Sequence, residues 1–573
     1  VSVVTTAGPV SSNQVYSSRH DGKDPARDPR ATTTAELFDP SDLKRVRFSL
    51  PILLTEFEDL EEAEETSASP SLSPVSAGDG GGPSARGKHE HYSKTAVEGG
   101  QNSRRGDDES RDGSALWDIR DISRREYTLD QVLDIYYRTC WNLSVLPLSS
   151  VEEAFRARIA LNQSMPALVL SGTAFSPQDM RAFSEILDLK FGLRKLELEH
   201  CGLDDESVRL LTYSLMCADA VRYLSVAHNS KITHWGLKSI ATYIFHTREL
   251  YALNLSGIRL DKRGAMHLSD ALAGTKMLAA PGRHAEGAER QSSAVFSAPV
   301  LLSEPVTLRI LYLDGCRIEP HVLESMVPGI RRSPLQFLSL RNNALSTKHG
   351  TALYKLLCKE EAPSETDPAN EFTSASDPEG DRRRQPNFQA LDLSQNSLRP
   401  VILNIAEALL ANTTLKELAL CQNGLDHDSL AILARCLASN KGLTSLDISR
   451  NPMCSPDLGG VTELKLELPQ NKTLQCLFMS DTKLTTEGAI LLAECLPELT
   501  CLQRLEIASN RDIEVAGILA LSASIKSNRS LLCLEVSINE SDDLAYQFER
   551  EIAKSCIANM ERQHQETLKA KRK

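Results

Sequence analysis

The chain lacks an excess of positive charge. Its 64 Lys and Arg stand against 77 Asp and Glu, a net charge of -13, and the pI is about 5.6. Nucleic acid is therefore not an expected partner. No apolar run approaches the roughly 18 residues that cross a bilayer, so no membrane span is expected. The chain opens without Met, and Val1 to Pro9 show no basic start before running on into Ser, Asn and His. No secretion signal is read there, and the sequons opened by Asn142, Asn162, Asn254, Asn412, Asn471 and Asn528 carry little weight. G-x-x-x-x-G-K-S/T, G-x-S-x-G, H-E-x-x-H and paired C-x-x-C are all missing. Nothing here points to an enzyme, a cofactor or a metal. The thirteen cysteines are odd in number and have no metal-ligand spacing. They read as reduced, buried thiols of a cytoplasmic or nuclear protein.

Residues 1–113 lack sustained periodicity and are rich in Ser, Gly, Pro, Asp and Arg, as in 67-SASPSLSPVSAGDGGGPSARG-87. Such a segment buries too little apolar area to offset the entropy of ordering, and it reads as a disordered tail. One basic and apolar stretch stands out within it, 43-LKRVRFSLPILLTEFEDL-60, whose end merges into the acidic run 56-EFEDLEEAEE-65. Order is expected from near Trp117. Thr128 with Gln131, and Ser150 with Glu153, read as two capping boxes opening the helices of an N-terminal cap over 114–164.

Periodicity then dominates. The pattern L-x-x-L-x-L-x-x-N/C-x-L recurs with first positions at Met165, Leu193, Val221, Leu250, Leu308, Leu335, Phe388, Leu415, Leu443, Leu474, Leu502 and Leu531, twelve repeats in all. Two of the gaps, 58 and 53 residues, are nearly double the others, so looped-out insertions are expected near 281–305 and 360–386. In each L-x-L the leucines face inward from a short strand. The Asn or Cys at the ninth position can bond backbone groups left open by the following turn. Stretches such as 404–414 and 429–440 carry helical apolar spacing. The predicted fold class is α/β, a leucine-rich-repeat solenoid over 165–541. Parallel strands would line a concave face and helices a convex one, and a C-terminal helix with a basic tail would close the array over 542–573.

Alternation places Lys195, Glu197, Glu199, Tyr223, His228, Asp314, Arg341, Asp392, Asp447, Arg450, Phe478, Asp481, Arg504 and Glu506 on the concave face. This mixed polar and aromatic set suits contact with an as yet unidentified protein.

The long, outwardly helical repeats resemble the ribonuclease-inhibitor-like subclass of leucine-rich-repeat proteins over roughly 165–545. In the tail, Lys44, Arg45, Val46 and Phe48 resemble the RVxF-type docking motif of protein phosphatase 1 regulatory subunits. The resemblance implies a non-enzymatic subunit that holds the phosphatase catalytic subunit while the horseshoe recruits a substrate or location. Val46 and Phe48 would enter one groove of the phosphatase from an added strand, with the basic residues at its rim. Ser49, in a basic context beside the second anchor, is a candidate phosphorylation site. The motif-bearing tail is also similar to fungal proteins of cell-wall biogenesis. Two alternatives stand beside this reading. One is a Ran-type GTPase activator using Arg317 or Arg341. The other is a scaffold with no phosphatase role.

Overall fold

The computed structural model describes residues 126–274, 306–359, 388–455, 457–538 and 543–571. The 1–113 tail and the expected insertions near 281–305 and 360–386 lie outside the described residues.

Two helices lead, α1 (Leu129–Asn142) and α2 (Ser149–Leu161). Thr128 opens α1 with the expected capping box: its side chain accepts from the Gln131 N–H, and Gln131 accepts from the Thr128 N–H at 3.1 Å. The second expected box is corrected. Helix α2 begins after Leu148 with no side-chain cap. Ser150 is instead drawn to the first repeat, accepting from the Thr173 hydroxyl at 3.0 Å, and the Leu148 N–H is held by the Tyr136 hydroxyl at 3.0 Å.

Twelve strands follow: β1 (Ala167–Val169), β2 (Lys195–Glu197), β3 (Tyr223–Ser225), β4 (Ala252–Asn254), β5 (Ile310–Tyr312), β6 (Phe337–Ser339), β7 (Ala390–Asp392), β8 (Glu417–Ala419), β9 (Ser445–Asp447), β10 (Cys476–Phe478), β11 (Arg504–Ile507) and β12 (Cys533–Val536). They form one sheet in chain order, parallel throughout. The central leucine of each strand pairs with the next, from Leu168 opposite Leu196 to Leu505 opposite Leu534. From Leu168 to Leu505 none of these leucines is more than 1% exposed. Each contributes roughly 1.5 to 3 kcal/mol of burial. The register runs on across both long intervals, Leu253 opposite Leu311 and Leu338 opposite Leu391.

The repeats return through helices that form the outer layer, including α3 (Pro177–Leu187), α4 (Asp205–Ala218), α5 (His234–His246), α6 (Lys262–Leu272), α7 (Pro320–Arg332), α8 (Gly350–Leu357), α9 (Ile402–Ala411), α10 (His427–Ser439), α11 (Gly459–Glu467), α12 (Thr486–Cys495) and α13 (Val515–Ile525). Their starts are written in short polar residues: Asp204, Asp261, Asp426 and Thr485 each accept an N–H of the first turn.

Two lines of asparagine tie repeat to repeat. At the ninth position Asn229, Asn343, Asn396, Asn423, Asn451 and Asn510 are buried. Asn451 is typical: its Nδ2 donates to Leu420, Ile448 and Ser449 carbonyls, and its Oδ1 accepts from the N–H groups of Asn423 and Leu425 in the repeat before. Cys201 and Cys316 fill the same position with thiols that reach the Leu170 and Leu255 carbonyls at 3.3 and 3.4 Å. The second line runs past the strand entries. Asn412, Asn440, Asn471 and Asn528 each donate to a carbonyl of the preceding repeat, and each accepts two N–H groups just ahead in its own. This accounts for three of the sequons: Asn412, Asn471 and Asn528 are 1, 5 and 2% exposed, structural groups rather than open acceptors. Asn559 continues the line from helix α14 (Asp543–Lys571), donating to the Asn528 and Leu531 carbonyls. Ala545, Ile552 and Cys556 bury one face of α14 against the last repeat. Beyond Met560 its turns are exposed through residue 570.

Candidate functional site

Residues flanking each inward leucine project from the opposite, concave side of the sheet. Lys195, Glu197, Tyr223, Asp392, Asp447, Phe478, Arg504 and Glu506 occupy such strand positions. Glu199, His228, Asp314, Arg341, Arg450 and Asp481 lie just past the strands. There His228, Arg450 and Asp481 hold φ of 59, 58 and 54°, in a left-handed turn that Gly257 and Gly315 fill in other repeats.

These side chains gather in three groups along the array. At β2 to β4 the Lys195 ammonium lies 3.4 Å from Glu197 and 5.4 Å from the Tyr223 ring centre. Glu199 accepts from the Ser225 hydroxyl at 2.5 Å and from Asn254 Nδ2 at 3.2 Å. The His200 and His228 rings stack 4.4 Å apart. Burial, then the neighbouring His200, pulls the His228 imidazole below the usual histidine range.

At β5 to β9 the face is apolar and acidic together. The Tyr312 and Phe337 rings meet at 5.3 Å. Asp314 accepts from the Ser339 hydroxyl and from the Arg341 N–H. Burial nevertheless pushes its carboxyl up to about 6, while the Ser339 bond and the Arg341 charge oppose the shift. Asp392 accepts the Ser394 N–H at 2.7 Å, and burial raises it too. Asp447 accepts the Ser449 N–H at 2.9 Å and is pushed by burial up to about 6.

At β10 to β12 Arg504 is held by Glu506 at 3.1 Å and Glu535 at 2.9 Å, with its guanidinium 5.7 Å from the Phe478 ring centre. The Ser480 hydroxyl donates to Glu506 at 2.9 Å.

Two expected contact residues are therefore part of the floor of this face. Asp392 is 4% exposed, its carboxylate turned onto the Ser394 amide, and Phe478 is 5% exposed beneath Arg504. Sequence reasoning also passed over Tyr312, Phe337, Glu417 and Glu535, although they sit at the same alternating positions. It missed the hydroxyls of Ser225, Ser339 and Ser480 that orient the acids. Alternation applied evenly to every repeat flags the first four. It flags Ser225 and Ser339 too, but their bonds to the acids, and the role of Ser480, become legible only once adjacent repeats are stacked. Lys44, Arg45, Val46, Phe48 and Ser49 lie outside the described residues. Among the described residues no group of three or more His, Cys, Asp or Glu could hold a metal ion, and no helix is long and apolar enough to cross a membrane.

A family profile described as Leucine Rich repeat matches residues 470–493. The chain is 35% identical over 137 residues to NACHT, LRR and PYD domains-containing protein 4E of Mus musculus, covering 24% of this chain and 14% of that protein. Among solved structures it is similar to the Rad7 and Elc1 complex of yeast, at 14% identity, with 69% of this chain and 90% of the other covered and a TM-score of 0.33. It is also similar to the Listeria monocytogenes internalin inlF, at 14% identity, with 71% and 96% covered and a TM-score of 0.32. These likenesses carry no argument about partner or activity. The twelve-strand parallel ladder and the asparagines that link its rungs give this chain the fold of a leucine-rich-repeat solenoid, and one of its repeats matches the family profile.

Proposed function

We propose that the chain is a non-catalytic interaction scaffold whose concave face holds a protein partner and whose tail docks the catalytic subunit of protein phosphatase 1. The observation that carries the scaffold reading is the make-up of the concave face. Half-buried acids, arginines and tyrosines are spread over adjacent strands, oriented by serine hydroxyls and by each other, across a width that suits a macromolecular contact. The phosphatase reading rests on the sequence: Val46 and Phe48 on one side of an extended segment, with Lys44 and Arg45 ahead of them, suit strand addition with two apolar anchors. A subunit held this way leaves the phosphatase active site open and lets the horseshoe choose substrate or place. Free thiols at all thirteen cysteines support a cytoplasmic or nuclear setting.

The Ran-type activator gains no support from the geometry. Arg341 is half-buried beside Asp314, and Arg317 sits in a left-handed turn at φ 53°. The similarity to fungal cell-wall proteins names a process and supplies no contact.

Calorimetry of the full chain with the phosphatase catalytic subunit tests the docking: Val46→Ala with Phe48→Ala should abolish binding, and equal binding refutes the assignment. Cross-linking of partner proteins tests the face. Links should form at Lys195, and links confined to the helix lysines Lys238 and Lys262 would refute the concave assignment.

A further inference from the structure

Towards the C-terminal end, three cations of the outer layer are neutralised across adjacent elements. Arg435 meets Glu463 at 3.4 Å, Lys465 pairs with Glu494, and Lys526 pairs with Glu551. One rim near the C-terminal end differs. A groove of about 780 Å³ opens between the strand-entry loops of repeats eight to twelve and the last turns of α14. Lys416, Lys441, Lys472, Arg529 and Arg562 line it against a single acid, Glu566. Among the described residues none of these five cations belongs to an ion pair. The heads of Lys416 and Lys472 donate to main-chain carbonyls instead, of Thr413 and Gly442 at 3.1 and 3.2 Å and of Pro469 at 2.8 Å. Near the other end, at the entries to β3 and β4, Arg222 is met by Glu249 at 3.4 Å. Arg194, Arg248 and Arg309 at other strand entries also have no ion pair among the described residues, so what sets this end apart is that five such cations line one groove, in a chain whose net charge is -13.

Its order has a cause. Asn440, Asn471 and Asn528 each fix the same turn, donating to the carbonyls of Leu409, Leu437 and Leu496 at 2.6 Å. The residue directly after each of them is Lys441, Lys472 or Arg529, and all three are exposed. The buried asparagine line therefore sets Lys441 and Lys472 on adjacent repeats and Arg529 two repeats further on, with Thr500 at the same place in the repeat between. Parallel strands lie about 4.8 Å apart, which sets these three cations about 4.8 and about 9.6 Å apart along the rim, and alternate side chains of an extended segment, repeating at about 6.6 Å, bring carboxylates within reach of such long side chains. Among the described residues no aromatic ring lines the groove, so they supply no stacking platform of the kind on which single-stranded nucleic acid is held.

We propose that this rim groove docks an extended acidic segment of a partner protein. The site is separate from the tail motif and from the concave face and rests on neither reading.

The test is fluorescence anisotropy of a labelled decaglutamate peptide titrated with the full chain at low salt. The wild-type chain should bind it. Lys441→Glu with Lys472→Glu should weaken binding about tenfold or more, since opposed charge replaces complementary charge. Arg435→Glu with Lys465→Glu, a reversal of equal size on the outer helices, should leave binding within about twofold. Thermal melts matching the parent secure the fold of both variants. Absent binding by the wild type, or equal binding by the rim variant, overturns the proposal. So does tighter, rim-dependent binding of an oligothymidine of equal charge, which would make the ligand nucleic acid. A chain with Glu56, Glu58, Glu61, Glu62, Glu64 and Glu65 changed to Gln should bind the peptide as the parent does. Binding more than tenfold tighter would mean that the chain's own acidic run is the occupant, and would overturn a partner in trans.

Discussion

Asn451→Ala removes one rung of the ninth-position ladder. Asn451 is 0% exposed, so its partners are shut off from bulk solvent. Its Oδ1 accepts the N–H of Asn423 at 2.7 Å and of Leu425 at 3.2 Å, and both donors are left buried and unpaired by alanine. At about 1 to 3 kcal/mol for each stranded donor, the loss is about 2 to 6 kcal/mol. The carbonyls of Leu420, Ile448 and Ser449 lose a donor as well. In a solenoid each repeat is coupled mainly to its neighbours, so the damage stays near repeats eight and nine. Hydrogen exchange of the full chain reads this out. The amides of Asn423 and Leu425 should exchange roughly thirty-fold to ten-thousand-fold faster, at about 1.4 kcal/mol per decade. The Leu203 amide, held by Asn229 in the N-terminal repeats, should not change. Unaltered protection at Asn423 and Leu425 would refute the ladder's energetic role, and uniform acceleration along the chain would refute its locality.

Three further perturbations follow from the same geometry. Asp447 has a folded pKa of about 6, above its ordinary 3.8, so its contribution to stability is full below that ordinary value and is lost as pH rises through about 6. Asp447→Asn should therefore stabilise the chain at pH 8 by up to about 3 kcal/mol, read as a raised melting temperature, and the gain should shrink towards pH 4; a pH-independent difference would contradict it. Gly329→Ala places a methyl 2.2 Å from the Ser269 carbonyl oxygen, a backbone atom that cannot yield without parting α6 from α7. Overpacking of about 1 to 3 kcal/mol should exceed the roughly 1 kcal/mol helical gain of alanine, giving net loss in urea denaturation; an unchanged or raised midpoint would refute it. A peptide covering Leu43 to Glu58 and phosphorylated at Ser49 should bind the phosphatase catalytic subunit more weakly than its unmodified twin, because charge is added beside the Phe48 anchor; tighter binding in calorimetry would reverse the assignment.

Much of the architecture is legible in the sequence because its determinants are short-range and repeated. The L-x-L beat specifies one inward leucine per strand, and all twelve first positions precede strands that pair in chain order. The Asn or Cys nine residues into a repeat is likewise visible as a backbone partner. So is the capping box of Thr128, whereas Ser150 looked the same in sequence and was claimed by Thr173 of the first repeat.

What the sequence left undecided depends on which side chains adjacent repeats bring together. Alternation assigned Phe478 and Asp392 to the concave face, but only stacking shows that Arg504 covers one and that the other folds onto its own backbone. The sequons at Asn412, Asn471 and Asn528 carry little weight in the sequence, and only the neighbouring repeats, with their buried carbonyl partners, show what these asparagines do. Lys441, Lys472 and Arg529 are scattered over some ninety positions of sequence and come to line one groove only through the parallel ladder. The repeat period is a local property of the chain. Burial, ion pairing and the alignment of charge are properties of the surface between repeats, and they exist only once the solenoid is built.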